Sequence, residues 1–178
     1  MRAIIIAAIA ILATACARED AQPQHAADAP ALSIFHAALD GAHFPTQTGS
    51  AATGEATITV DHAAQTVDLA LTVHGMTLDS LWDMLVTSPV GPLHLHLYDA
   101  SGDAVVLMPF PYSEEFAASA DGFTVTVTDA PYAERAALAQ SALSFDEFVA
   151  GLGSGQAYLN LHTDAFHDGE ISGLVTAE

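Results

Sequence analysis

Two short runs of strict two-residue alternation constrain this chain more than any other feature. In residues 93–98, Leu93, Leu95 and Leu97 fall on one side of an extended strand, and His94, His96 and Tyr98 fall on the other. In residues 158–162, Leu159 and Leu161 oppose Tyr158, Asn160 and His162 in the same way. A helix would scatter these leucines around its axis, whereas a strand gathers them on one packing face. Both runs therefore read as strands with an apolar side and a polar, histidine-bearing side. Residues 163–169 hold the Asp, His and Gly residues that make tight reversals, and residues 170–175 run back as a second strand. That hairpin should bring Glu170 close to His162.

The rest of the chain repeats the pattern. An apolar segment over residues 31–39 reads as a strand turned by Asp40 and Gly41, and residues 43–54 read as a loop. Ala56, Ile58 and Val60, then Val67, Leu69, Leu71 and Val73, alternate on either side of a turn at 61–65 and predict a hairpin. Residues 79–87 predict one or two helical turns with Asp79 as N-cap, their Trp82 and Met84 covering the core. After a turn at 99–103, residues 104–108 run apolar and 109–119 lack periodicity. Phe123, Val125 and Val127 give a further strand, residues 132–148 suit short helices, and the glycine-rich 151–155 reads as a flexible link. Seven or eight short strands with little helix predict an all-β fold: a single antiparallel, Greek-key-like β-sandwich or barrel with short helical insertions.

The N-terminal segment reads as an export signal. One arginine and an apolar run of about a dozen residues precede Ala13, Thr14, Ala15 and Cys16, the only cysteine. The run falls short of the roughly 20 residues that a membrane-spanning helix needs. The segment resembles a bacterial lipoprotein signal, with Ala13 where leucine is usual, which implies cleavage after residue 15 and lipidation of Cys16. The expected organisation is a signal over 1–15, a tether over 16–31 and a β domain over 32–178. Localisation at the cell envelope follows, with Ala17 favouring the outer membrane, facing the periplasm or the exterior. A lone cysteine excludes an internal disulfide. With 22 acidic residues against three arginines and no lysine, the formal net charge is −19, which excludes nucleic acid as a partner and leaves the membrane to be reached through the lipid.

Taken together, Leu39-Asp-Gly41 with Pro45, His94-Leu-His96, Tyr158-Leu-Asn-Leu-His-Thr163 and Gly169-Glu-Ile-Ser-Gly173 resemble the CHRD domain, the chordin-type module also found in bacterial secreted proteins. The resemblance spans about residues 33–176. His43 and Phe44 replace the family's usual Gln-Glu, and Ser172 replaces an arginine. The resemblance implies an extracytoplasmic β-sandwich, a binding or scaffold module without established catalysis.

The histidines carry the chemistry. Alternate residues of one strand point to the same side about 6.5–7 Å apart, so His94 and His96 can converge on one ion. His162 from a neighbouring strand would complete a three-nitrogen site for copper or zinc, with Glu170 as a ligand or as an acceptor that orients one. Copper–zinc superoxide dismutase uses a similar His-x-His device, the one local likeness to that enzyme. Three readings follow: a copper or zinc carrier, a redox metalloenzyme, or a metal-free structural or adhesive module in which the histidines fix strand register. No serine-nucleophile, dinucleotide or phosphate-loop pattern is present, so no catalytic residue is assigned.

Overall fold

The computed structural model describes residues 31–42, 45 and 47–178. The expected signal, Cys16, the tether up to residue 30, and His43 and Phe44 lie outside the described residues. Strands β1 (Leu32–Asp40), β2 (Thr53–Asp61) and β3 (Thr66–His74) form an antiparallel meander. Their alternation is read out directly: Phe35, Ala37 and Leu39, then Ala56, Ile58 and Val60, then Val67, Leu69, Leu71 and Val73 are buried. The polar residues between them face outward, as a half-buried strand requires.

Strands β4 (Leu93–Tyr98) and β5 (Ala104–Phe110) form a hairpin, followed by β6 (Phe116–Ala118) and β7 (Gly122–Pro131). Strands β8 (Ala157–Leu161), β9 (Ile171–Leu174) and β10 (Thr176–Ala177) complete the domain. All pair antiparallel in the order β5-β4-β8-β9-β1-β2-β3-β7-β6, with β10 alongside β1. The expected all-β architecture thus takes the form of one continuous sheet curled into a half-barrel around a single apolar core. β6 and β10 were not predicted, because three and two residues are too few for alternation to register.

The helical insertions are short: a 3-10 turn at Leu78–Ser80, α1 (Asp83–Val86), α2 (Tyr132–Leu138) and α3 (Phe145–Leu152). The expected one or two helical turns at 79–87 form as two separate pieces. Asp79 lies inside the 3-10 turn rather than capping it; Thr77 precedes that turn and Trp82 precedes α1, neither with a side-chain capping bond. Met84 is 68% exposed and covers no core. The link expected at 151–155 is shortened, since α3 runs through Leu152. α3 opens on a capping box, in which the Ser144 side chain accepts from the Glu147 amide while the Glu147 carboxylate accepts from the Ser144 amide. α3 approaches Leu97 and Leu107 through Gly151, so it covers the leucine side of β4 and leaves the histidine side to other segments.

Gly91 fixes how the chain enters β4. Its φ is +71°, and a Cβ there would collide with the Phe110 carbonyl and Pro111 of the neighbouring strand. Gly102, in the β4–β5 turn, has a similar φ of +88° but open space around it. Gly102→Ala should therefore bear only the left-handed backbone penalty of about 1 kcal/mol, and Gly91→Ala substantially more. Urea unfolding of the two variants checks this, and equal losses would show that the close approach at Gly91 is unimportant.

Candidate metal site

β4 pairs with β8 in a register that puts Leu93 opposite Leu161, Leu95 opposite Leu159, His94 opposite Asn160 and His96 opposite Tyr158. His162 follows β8 directly, held because its amide donates to the Pro92 carbonyl at 2.9 Å. Diagonal neighbours on one sheet face come within reach of long side chains, and the three rings gather accordingly. Ring centroids are 5.3 Å apart for His94 and His96, 4.8 Å for His94 and His162, and 5.8 Å for His96 and His162. One ligand nitrogen from each lies within 4.8 Å of the others, and among the described residues these three form the one such group of His, Cys, Asp or Glu.

The polar side of these strands is buried as well. His94, Asn160, His162, Thr163 and Ser172 are the buried polar residues among those described, and all belong to β4, β8, β9 or the turn between the last two. The side chains are only partly satisfied. His162 Nδ1 sits 2.8 Å from the His167 carbonyl, an acceptor, so Nδ1 carries the proton and Nε2 presents a lone pair. That lone pair accepts from His94 Nδ1 at 3.2 Å, so His94 carries its proton on Nδ1. The Asn160 amide donates to the Tyr98 hydroxyl at 2.9 Å. Both nitrogens of His96 and Asn160 Oδ1 are buried without a hydrogen-bond partner, and His94 Nε2 has none of good geometry, although the Gly91 and Val90 backbone lies against that ring.

Burial keeps the rings neutral. Desolvation, followed by repulsion from His162 and His96, pushes His94 down to about 3. Desolvation and then His162 push His96 down to about 4. His162 is also lowered by burial, opposed by the His167 carbonyl and Asp168. A neutral imidazole is the form that coordinates metal, so at neutral pH no ring has to lose a charge; an ion seated between His94 Nδ1 and His162 Nε2 would displace the proton they share to His94 Nε2. Two nitrogens bound to one zinc or copper ion at about 2.0–2.1 Å stand about 3.3–3.4 Å apart in tetrahedral geometry. The His94–His162 separation is already close to this, and the three ligand nitrogens, all within 4.8 Å of one another, would close to it by no more than about 1.5 Å.

Glu170 is close in sequence logic but turned elsewhere. Its carboxylate accepts from the hydroxyls of Ser50 and Thr163, each at 2.7 Å, and the hydrogen bond that orients His162 goes to the His167 carbonyl instead. Glu170 also lines a cleft of about 600 Å3 with Met76, Asp79 and Asp121, and none of the three histidines lines it. Sequence reasoning missed Trp82, whose ring stacks on that of His167 at 4.0 Å and 9°. Hydrophobicity pointed Trp82 at the core, and no local pattern announces a partner 85 positions later.

A family model described as the CHRD domain matches residues 35–175. No curated protein and no solved structure matches.

The depressed ring pKa values set a pH dependence for the metal-free protein. Below pH 6.5 the unfolded chain takes up protons that folded His94 and His96 refuse, so stability falls as pH drops and the loss levels off near 4 and 3. The decline attributable to these rings should be on the order of 8 kcal/mol. His96→Gln should flatten it between pH 6.5 and 4 in denaturant titrations; parallel curves would mean that the rings titrate normally.

Proposed function

The chain belongs to the CHRD-domain family, and from that premise we propose that it is an exported, lipid-anchored binding module whose His94, His96 and His162 hold a copper or zinc ion. One observation carries the reading: two buried histidines and one half-buried histidine converge as neutral imidazoles, and neither ring nitrogen of His96 has a hydrogen-bond partner. A cluster serving only to fix strand register would be expected to satisfy its own polar atoms, because each one left unmet costs about 1–3 kcal/mol. The donor chemistry agrees with copper or zinc. Imidazole suits both, the group includes neither thiolate nor carboxylate, and calcium or magnesium would call for oxygen ligands.

Three protein ligands leave a coordination position for a further group, which suits exchange of the ion as well as chemistry on it. The carrier reading is favoured over the redox enzyme because the acidic groups nearest the rings are engaged or face solvent: Asp168, whose charge reaches His162, is exposed. Tyr98 and Asn160 bond to each other, and the Glu170 carboxylate is engaged by two hydroxyls. Attachment to the membrane is through Cys16, with the acidic domain held off the anionic lipid surface by the tether.

Elemental analysis of protein purified from its native compartment, with copper(II) and zinc titrations of the metal-free form, tests the site. About one ion per chain is expected, and His96→Ala should weaken binding at least about tenfold. Metal-free native protein that also takes up neither ion would return the cluster to a purely architectural role. Separately, Cys16→Ser should move the protein from the membrane fraction to the soluble fraction; unchanged membrane association would rule out the anchor.

A further inference from the structure

The 3-10 turn and α1 bury no residue of their own, yet they are tied to the β8–β9 turn at several points. The Trp82 amide donates to the His162 carbonyl at 3.2 Å, the Asp164 amide donates to the Ser80 carbonyl at 3.1 Å, and the Asp83 amide donates to Asp164 Oδ1 at 3.1 Å. Leu81 and Thr163 form an isolated antiparallel bridge. The indole of Trp82 then stacks on the His167 ring, and the carbonyl of that same His167 accepts from His162 Nδ1. A closed circuit results: Trp82 backbone to His162 backbone, His162 ring to His167 backbone, His167 ring to Trp82 ring.

We propose that Trp82 is a positioning residue for the metal site, acting through its stack on His167 to hold the carbonyl that fixes His162 with its Nε2 lone pair toward His94 and His96. Backbone bonds close the turn at 163–169, and the stack adds a side-chain contact at the residue whose carbonyl is used. His167 and its neighbour Asp168 are exposed, and the turn's internal bonds run between Thr163, Phe166 and Gly169. Without the stack, the His167 peptide is restrained by the turn's backbone bonds but no longer by its ring, so its carbonyl can tilt and His162 can adopt the opposite tautomer or turn its ring. Either change removes one of three ligands. Groups that orient a metal-bound histidine in this way typically contribute about 10–100-fold in affinity, and the aromatic stack is the contact that makes the segment at 78–86 more than a linker.

This inference rests on the metal reading for its affinity arm, and a tautomer measurement makes it separable from that reading. Nitrogen-15 NMR of the imidazoles in the metal-free protein should show His162 as the Nδ1–H tautomer in the wild type. Trp82→Ala and His167→Ala should both give a tautomer mixture at His162, while Trp82→Phe, which can still stack, should keep the wild-type signature. In zinc competition against a chelator, the two alanine variants should bind about 10–100-fold more weakly and the phenylalanine variant within about threefold of wild type. Because His167→Ala removes only an exposed ring, it decides the matter if Trp82→Ala fails to fold. An unchanged His162 tautomer in His167→Ala would overturn the proposal whatever zinc does. Absence of zinc binding to wild-type protein, with the tautomer shift present, would overturn the metal reading and leave the positioning role standing.

Discussion

The pairing of β4 with β8 is the interaction on which the rest of the domain turns. It joins segments separated by the whole of β5 to α3, and it is specified by a leucine ladder, Leu93 with Leu161 and Leu95 with Leu159, on the face that meets the core. A slip of one residue would send those leucines to the polar side and the histidines into the core. Burying a leucine side chain contributes about 1.5–3 kcal/mol, so four of them are comparable to the cost of placing imidazoles and an asparagine opposite, and the remaining core decides the balance. The polar cluster is thus put in place by apolar packing behind it, and it does not have to stabilise the fold itself.

That separation explains why this patch can tolerate unmet polar groups. Each buried atom without a partner costs about 1–3 kcal/mol, and the two His96 nitrogens and Asn160 Oδ1 lie together. Elsewhere the sheet follows the ordinary economy of alternation, with apolar side chains inward and threonines and carboxylates outward. A stability deficit concentrated at one spot and offset by a continuous core is the pattern expected of a binding site. A ligand that engages the cluster in the folded state alone would recover part of that deficit by mass action.

Much of this was legible in the sequence, and the limits have physical causes. Alternation identified the strands around Ile58, Leu71 and Val125 because those strands have one wet face. It also put His94, His96 and His162 on polar faces, but period two cannot distinguish a solvated polar face from a buried one, and here the face is buried. Glu170 could be brought near His162 by reasoning about a hairpin, yet the choice between an imidazole and the hydroxyls of Ser50 and Thr163 is made by a loop 120 positions away. Trp82 was misjudged for the same reason. Its hydrophobicity says that it wants cover, and only the tertiary fold says that His167 provides it.

The contrast between surface and site bears on how an ion would reach the histidines. The chain carries 22 acidic residues and three arginines, a balance that draws cations toward the surface while the field fades within about 8–10 Å at physiological salt. Exposed carboxylates hold such ions weakly and without preference, since they offer oxygen to calcium and magnesium as readily as to anything else. The buried cluster offers nitrogen alone, uncharged at neutral pH because desolvation keeps His94 and His96 deprotonated. On the proposed reading, attraction and selection are therefore divided between two parts of the molecule. The acidic exterior raises the local concentration of every cation, and the imidazoles retain those that favour nitrogen over oxygen. Were a carboxylate such as Glu170 turned into the cluster, its charge would raise the histidine pKa values and its oxygen would widen the range of ions held. Its engagement by Ser50 and Thr163 keeps it out.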